Sequence, residues 1–306
     1  MNGDHMLVVN QLPESFAALD YLIRLPQYER EKPYYISRNL PPELASRKTN
    51  LKFEAKEIKL LDIRNHEDSF NLESDGFCVM KQPSQVEFPP SSSADESLAT
   101  AEYLKEAIQV VKTKMEAEVC LAYQIVFRRA DTTPNPPGLP TGSQHRPDQP
   151  ATNPHVDHTV DGGLKRIARH MSSEEYSKYS DATRYRMRIV NLWRPVRHIS
   201  DTYPLALCDP KTVNHADDLI AADRVGSSYL GEVYYLLYHE KQQWYWMSGM
   251  SPEELFLFAS FDTERPYSAV PHASFHNLSI QPGLPPRESV EVRLIVVTKR
   301  KHAITQ

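Results

Sequence analysis

Apolar and polar residues follow a short period over much of the chain, and this pattern predicts a mostly β protein. From about residue 120 onward, apolar stretches of strand length recur between groups of turn-forming residues. Alternation with a period of two is typical of a strand with one buried face. Many short strands with few helices indicate a sandwich or barrel. The predicted strands span about 76–83, 122–129, 185–196, 228–238, 243–247 and 288–298.

One long amphipathic helix is predicted before residue 120. Ser93 with Glu96 three residues later has the spacing of a capping box, which marks a helix start. Apolar residues then recur at helical spacing, so we expect the resulting stripe to pack on a sheet. The stripe consists of Leu104, Ile108, Val111, Met115 and Val119.

Two shorter helices are predicted further along the chain. Residues 172–181 have the composition of a short helix that begins after a serine. Ser251, followed by Pro252 and by Glu254 at the third position, forms another capping signature. We therefore expect a brief helix within Leu255–Phe261 that runs into a strand.

A proline-rich stretch separates the strand near residue 129 from the candidate chemistry. Residues 131–154 contain seven prolines in 24 residues. Long loops without secondary structure are usually functional. We expect this loop, and also the segment 160–184, to be mobile lids that become ordered when substrate binds.

Composition narrows the class of protein. The net charge of −5 and the pI near 6.2 give no reason to expect nucleic acid as a partner. No stretch reaches the length of about 20 apolar residues that a membrane helix needs, and no secretory signal is visible. The three scattered cysteines do not form a disulfide framework. We expect a cytoplasmic protein that contacts no membrane, and we leave a homodimer open.

Three His-x-Asp pairs are candidates for metal binding, and such pairs arise by chance in a chain with 12 histidines and 40 acidic residues. His66/Asp68 lies in a very polar run, and His215/Asp217 has the context of a turn or helix start. His155/Asp157 differs because it follows the proline-rich loop and precedes Asp161-Gly162-Gly163. On a strand the two side chains would share one face. His155/Asp157 is therefore the favoured ligand pair.

Residues downstream supply the rest of a metal centre. His272 and His276 are both available as a third ligand. Two histidines and a carboxylate form the facial triad of non-haem Fe(II) oxygenases. Arg287 and Ser289 would share one face of a strand, and an arginine fork with a hydroxyl suits a carboxylate.

The order HxD…H…RxS resembles the Fe(II)/2-oxoglutarate-dependent dioxygenases with a double-stranded β-helix fold. A narrower resemblance covers most of residues 75–298. It points to fungal gibberellin-desaturase-like and AsaB-like hydroxylase/desaturases, to the bacterial cephamycin protein CmcJ, and to relatives that form endoperoxides in fungal meroterpenoid pathways, such as the novofumigatonin endoperoxidase. The motifs that carry it are Pro154-His155-Val156-Asp157, Val190-Asn191-Leu192-Trp193-Arg194-Pro195, Pro204-Leu205-Ala206-Leu207-Cys208-Asp209, Trp244-Tyr245-Trp246, Pro271-His272-Ala273-Ser274-Phe275 and Arg287-Glu288-Ser289-Val290-Glu291-Val292-Arg293.

The resemblance implies a mainly β fold with flanking helices around a jelly-roll or cupin-like core. Residues 76–306 would form this dioxygenase domain, and residues 1–75 an N-terminal extension packed on it. His155, Asp157 and His272 would bind Fe(II), with His276 as the alternative third ligand. Arg287 and Ser289 would hold the distal carboxylate of 2-oxoglutarate.

Four further residues have more than one possible role in this scheme. Arg293 shares the face of Arg287 and is the alternative carboxylate anchor, although a salt bridge with Glu291 is the more ordinary role for it. Asn191 and Trp193 share one face of a strand and would line the cosubstrate pocket, whereas Arg194 points to the other face; core packing and structural pairing remain open for them.

The implied activity is oxidation of a small, largely apolar natural product with Fe(II), 2-oxoglutarate and O₂. Hydroxylation, desaturation and endoperoxide formation, for example on a meroterpenoid, all remain open as the outcome. The alternatives are a cupin-like metal enzyme that does not use 2-oxoglutarate and a non-catalytic β-helix protein that binds a partner.

Overall fold

Strands dominate the fold, as the hydrophobic pattern predicts. The computed structural model describes residues 9, 11–37, 40–88, 96–131, 147–226, 229–280 and 283–300. The strands are β1 (Glu14–Leu22), β2 (Tyr34–Ile36), β3 (Phe53–Asp62), β4 (Phe77–Lys81), β5 (Val119–Arg129), β6 (His155–Val156), β7 (Tyr185–Pro195), β8 (Leu205–Cys208), β9 (Leu219–Val225), β10 (Leu230–Leu236), β11 (Trp244–Trp246), β12 (Glu254–Asp262), β13 (His272–Ser274) and β14 (Glu288–Lys299).

The described helices are few. The α-helices are α1 (Leu72–Asp75), α2 (Glu96–Lys114), α3 (Val160–His170) and α4 (Ser173–Tyr179). Short 3₁₀ helices span Pro26–Glu29, Pro42–Arg47, Glu67–Ser69 and Pro210–Thr212. None of these helices is both long enough and apolar enough to cross a bilayer.

The strands form two sheets that face each other. One sheet has nine strands in the order β1-β3-β11-β8-β13-β6-β10-β9-β2, and the other has five in the order β4-β12-β7-β14-β5. Apolar side chains from both sheets meet between them, among them Phe77, Trp193 and Tyr245. The two sheets face each other, and the chain passes back and forth between them through the connections. This arrangement is the expected jelly-roll core.

Helix α2 covers the outer face of the five-stranded sheet, as its apolar stripe predicts, but the helix ends at Lys114, so that Met115 follows it and Val119 begins β5. Tyr103, Ala107 and Val111 of the helix are buried against Val290 and Val292 of β14. Leu104 and Ile108 pack at the edge of the same cluster. Ser93, the predicted N-cap, lies outside the described residues. Covering this face leaves the opposite face of β7 and β14 for the site.

The brief helix predicted within Leu255–Phe261 is wrong. The residues form β12, which pairs with β4 on one side and β7 on the other. The polar contacts of the capping signature are present, since the backbone N–H of Ser251 donates to the Glu254 carboxylate at 2.9 Å. They close a turn, and the buried apolar run that follows extends as a central strand. Short apolar runs of this kind fit a buried strand as well as a helix.

The predicted short helix at 172–181 is confirmed as α4. Ser172 caps it with a capping box that includes Glu175. Helix α3 packs close to the five-stranded sheet, because a Cβ on Gly163 would lie 2.2 Å from the ring of Phe261. Most of the proline-rich loop (132–146) lies outside the described residues, and the lid role of both segments stays a prediction.

The N-terminal strands lie at both edges of the nine-stranded sheet. β1 pairs with β3, β3 runs parallel to β11, and β2 runs parallel to β9. Residues before 75 therefore extend the sheet that contains β6 and β13. Their treatment as a separate extension stays a prediction.

Candidate active site

Three predicted ligand residues meet on the inner face of the nine-stranded sheet. His155 lies on β6, Asp157 follows it directly, and His272 lies on β13. β13 pairs antiparallel with β6, and His272 and His155 are directly opposite each other in this pairing. The ligand atoms of the three side chains all lie within 4.8 Å of one another. They form the one such group of three or more metal-ligating side chains among the described residues.

Each histidine presents Nε2 to the centre of this group. Nδ1 of His155 lies 2.8 Å from the carbonyl oxygen of Asn153, and Nδ1 of His272 lies 3.1 Å from that of Val270. A carbonyl can only accept, so each Nδ1 carries the proton and donates it. In a neutral ring held in this way Nε2 keeps its lone pair, which is the form that binds a metal.

Burial keeps the His155 imidazole neutral. The pKa of His155 is lowered to about 3 by burial first and by the neighbouring His272 second, although Asp157 opposes the shift. Nε2 of each histidine lies 3.8 Å from an Asp157 oxygen, which is too long for a hydrogen bond. One ion between the three side chains would satisfy all of these donor atoms.

Asp157 is held by two side chains from the five-stranded sheet. Nδ2 of Asn191 on β7 donates to Oδ2 at 2.6 Å, and Nη2 of Arg293 on β14 lies 2.8 Å from Oδ1. Burial alone would raise the pKa of the Asp157 carboxyl, but the Arg293 guanidinium brings it well below its usual range. The carboxylate is therefore ionised and fixed in orientation. The buried Oδ1 of Asn191 has no partner among the described residues.

Arg287 is a fully buried cation at the start of β14. Its Nε donates to Ser289 Oγ at 3.1 Å, and Nη1 donates to the Tyr203 carbonyl at 2.7 Å and to Ser274 Oγ at 2.5 Å. Its guanidinium carbon lies 5.2 Å from the ring centre of Trp193. Within the described ranges it forms no ion pair with a carboxylate. Burial first and nearby Arg128 second lower its pKa to about 9.

Arg293, unlike Arg287, lies between carboxylates. Besides Asp157, its Nη2 contacts Oε1 of Glu291 at 2.9 Å, and Nη1 donates to Oε1 of Gln124 at 3.0 Å. The salt bridge considered from the sequence is therefore present, and it includes the predicted metal ligand. Of the two arginines on this face of β14, Arg293 is already neutralised by carboxylates and Arg287 is not.

The structure places the other candidates away from the centre. His276 is exposed and stacks on Tyr203 with 4.9 Å between ring centres. His215 contacts the Tyr267 ring with the two rings tilted, and Asp217 accepts a hydrogen bond from Asn214. His66 and Asp68 lie at the 3₁₀ turn Glu67–Ser69. None of them joins the His155 group.

Two side chains discussed from the sequence lie on opposite faces of β7. Trp193 is buried between the sheets and lies over the Arg287 guanidinium. Arg194 points to α2, where its guanidinium lies 5.6 Å from the ring centre of Tyr103. Trp193 thus belongs to the surroundings of Arg287, and Arg194 does not.

Several residues near the centre were missed in the sequence. Tyr123 Oη lies 2.8 Å from Nε2 of His158, whose pKa burial lowers to about 3. Ser274 contacts Arg287. The period of two on β13 places Ser274 on the same face as His272, so the strand pattern contained this signal. Nothing in the sequence linked Tyr123 to His158.

A pocket of about 320 Å³ adjoins the centre. Asp157, His158 and Arg293 line it together with residues of β5, α3, β9 and β10 and of the connecting segments. A larger cleft of about 1060 Å³ lies elsewhere, and none of the His155 group lines it. Of these two cavities, the smaller one is lined by a candidate metal ligand, Asp157.

The arrangement combines two imidazoles with Nε2 toward the centre, an ionised carboxylate, and a buried arginine that forms no ion pair among the described residues. Two histidines and one carboxylate leave coordination positions free for small ligands on Fe(II). The arginine fork and the Ser289 hydroxyl suit the free end of a dicarboxylate. The residues present therefore fit Fe(II) with 2-oxoglutarate.

Comparison with known proteins agrees with this chemistry. A family model described as "Oxidoreductase/YMDC permease-like domain" matches residues 19–297. The Fe(II)/2-oxoglutarate-dependent dioxygenase nvfI of Aspergillus novofumigatus is 24% identical over 273 residues, which cover 87% of this chain and 91% of that protein. The hydroxylase/desaturase CTB9 of Cercospora beticola is 27% identical over 244 residues, which cover 73% and 71%.

The fold is also that of a solved relative. A variant of the iron and alpha-ketoglutarate-dependent endoperoxidase NvfI superimposes with a TM-score of 0.80 at 22% identity, over 94% of this chain and 98% of that chain. The family model spans most of the chain, from the first strand to the last. The resemblance seen in the sequence is thereby confirmed, and the chain belongs to this oxidoreductase family, among the Fe(II)/2-oxoglutarate-dependent dioxygenases and hydroxylase/desaturases of fungi.

Proposed function

We propose that the protein oxidises a small, largely apolar natural product of fungal secondary metabolism, with Fe(II), 2-oxoglutarate and O₂. His155, Asp157 and His272 hold the iron, and Arg287 with Ser289 holds the distal carboxylate of 2-oxoglutarate. The observation that carries the proposal is the pairing of a His-Asp-His cluster with a buried arginine that has no anionic partner in the described part of the chain. Its relatives include hydroxylase/desaturases, a dioxygenase and an endoperoxidase.

The side chains of this chain have distinct tasks in that reaction. The Asn153 and Val270 carbonyls fix the imidazoles with Nε2 toward the centre. Asn191 and Arg293 fix the Asp157 carboxylate. The bound iron and 2-oxoglutarate supply the oxidising chemistry, while the protein orients the reactants and limits side reactions. The unpartnered Oδ1 of Asn191 is available to accept a hydrogen bond from water at the centre.

Arg287 distinguishes this function from the two alternatives. A cupin-like metal enzyme that does not use 2-oxoglutarate has no need of a buried cation beside the metal group. A non-catalytic binding protein has no need of the ligand cluster. A buried guanidinium without a counterion is costly, so its presence here is expected where an anionic cosubstrate supplies the missing charge.

An anaerobic titration with Fe(II) and 2-oxoglutarate tests the proposal. We expect a visible charge-transfer band in the intact protein and no band in His155→Ala. Absence of the band in the intact, folded protein would contradict the dioxygenase function. The outcome of the oxidation, a homodimeric assembly and a cytoplasmic setting stay predictions.

A further inference from the structure

The pocket that adjoins Asp157 has a charge unlike the rest of the molecule. The chain as a whole carries a net charge of −5. Four arginines nevertheless line this one pocket of about 320 Å³, and they come from four different elements: Arg128 on β5, Arg166 on α3, Arg224 on β9 and Arg293 on β14. Convergence from four elements shows that the positive charge belongs to the pocket and not to a solvated helix face.

Three of these arginines lack a carboxylate partner. Arg293 is neutralised by Asp157 and Glu291. Arg128, Arg166 and Arg224 form no ion pair with any carboxylate of the described residues. Arg128 donates from Nη1 to the Gln149 carbonyl at 2.7 Å, which orients the guanidinium without neutralising it. The pocket therefore contains three guanidinium groups that form no ion pair among the described residues, and one of them, Arg128, is oriented by a backbone carbonyl.

The acidic residues in the pocket wall do not neutralise the positive charge of these arginines. Glu232 is bound to Lys32 and Thr159, and Asp157 is engaged by Arg293. Burial lowers the pKa of Arg128, and although Glu291 and Asp148 raise it, the charges of Arg293 and Arg224 lower it further, so the pKa lies below its usual value. Like charges that crowd in this way favour the entry of an anion.

Aromatic rings hold one of the free arginines toward the cavity. The guanidinium carbon of Arg166 lies 4.0 Å from the ring centre of Tyr229 and 5.3 Å from that of Tyr123. Such stacking restrains a guanidinium while leaving its N–H groups free to donate. Tyr123 also contacts His158, next to the metal ligand Asp157. The restrained arginine thus lies beside the candidate centre.

We infer that the substrate carries a carboxylate, which Arg128, Arg166 and Arg224 bind in this pocket while its apolar skeleton lies toward the metal centre. This inference rests on the proposed function, because it assigns the pocket to the substrate of the same centre. Arginine forks match the two oxygens of a carboxylate. Arg287 is not among the residues that line this pocket, although Arg128 lies near enough to lower its pKa, and the proposed function assigns Arg287 to the cosubstrate.

Binding of matched acids and esters tests the inference. The probes are 2-naphthoate, 1-naphthylacetate and indole-3-acetate, each beside its methyl ester, titrated calorimetrically into the full chain with Fe(II) and 2-oxoglutarate under anaerobic conditions. We expect at least one acid to bind about tenfold more tightly than its ester, a ratio that corresponds to about 1.4 kcal/mol. Arg224→Gln and Arg166→Gln should each abolish this preference.

A control variant and a second measurement separate the outcomes. Arg47→Gln removes a positive charge at an exposed site outside the pocket and should leave the acid affinity unchanged. The 2-oxoglutarate band of Arg224→Gln should match that of the unmodified protein. Equal binding of acids and esters, or no binding of any acid below millimolar concentration, would overturn the inference. So would a loss of 2-oxoglutarate affinity in Arg224→Gln, whereas a missing band in the unmodified protein contradicts the proposed function itself.

Discussion

Nη2 of Arg293 lies 2.8 Å from Oδ1 of Asp157, so the candidate metal ligand is also one partner of a buried salt bridge. The same guanidinium nitrogen contacts Glu291 at 2.9 Å. One cation therefore compensates two carboxylates between the sheets. Without a metal ion, Arg293 is the group that keeps the Asp157 charge compatible with burial.

Replacing Arg293 with methionine should destabilise the metal-free protein. Removal of one partner of a buried ion pair costs about 3–5 kcal/mol, because the remaining charge is left uncompensated. Urea denaturation without metal measures the loss. Arg224→Met is the matched control, since Arg224 is exposed and should change stability by less than about 0.5 kcal/mol. Equal stability of the two variants would show that Arg293 does not stabilise the buried carboxylates.

Asn191→Ala should weaken metal binding without unfolding the protein. Asn191 orients Asp157 through a 2.6 Å hydrogen bond, and loss of such an orienting partner typically costs about 10–100-fold in metal affinity. Titration with Co(II), followed by its visible absorption, measures this change. An unchanged affinity would mean that Arg293 alone positions the carboxylate.

Arg287→Gln should raise the dissociation constant for 2-oxoglutarate by about 100-fold or more, because a charge-assisted bidentate contact is lost from a buried site. Metal affinity should remain, since Arg287 contacts none of the three ligand side chains. Ser289→Ala removes a single hydroxyl contact and should have a smaller effect. Loss of 2-oxoglutarate affinity in Arg293→Ala but not in Arg287→Ala would reverse the choice of anchor.

Stability of the metal-free protein should fall steeply on acidification. The pKa values of His155 and His158 are lowered from 6.5 to about 3 by burial, so the folded state stays neutral at both sites while the unfolded chain takes up protons. The contribution of each site is fully present above about pH 6.5 and is lost as the pH falls toward 3. Each site should contribute a slope of about 1.4 kcal/mol per pH unit in that window.

Urea denaturation at pH 7, 6 and 5 checks this expectation. The double variant His155→Gln/His158→Gln should lose the part of the slope that these two groups supply. A slope identical to that of the unmodified protein would indicate that other groups cause the acid sensitivity.

The strands of the fold and the ligand pair His155/Asp157 could be predicted from the sequence, because side chains along a strand alternate with a period of two. His155 and Asp157 share a face for the same reason that the late strands alternate. The wrong helix at Leu255–Phe261 arose from an apolar run too short to have a period of its own. Its pairing with β4 and β7 is a tertiary property, and local sequence does not encode it.

Two choices between candidate residues stayed open in the sequence, because each depends on which side chains of other strands lie nearby. Arg287 and Arg293 share one face of β14, and only the positions of Asp157 and Glu291 distinguish them. Likewise, His272 is opposite His155, while His276 stacks on Tyr203 at the surface. The three free arginines of the pocket come from separate elements, so no local motif joins them.

The direct pairing of His155 with His272 across β6 and β13 also bears on how much the chain between them can change. The distance between the two imidazoles is set by strand register and not by the number of intervening residues. Loops between β6 and β13 can therefore be lengthened or shortened without moving the ligands. A shift of one residue in that pairing, by contrast, would turn His272 to the other face of the sheet and dismantle the centre.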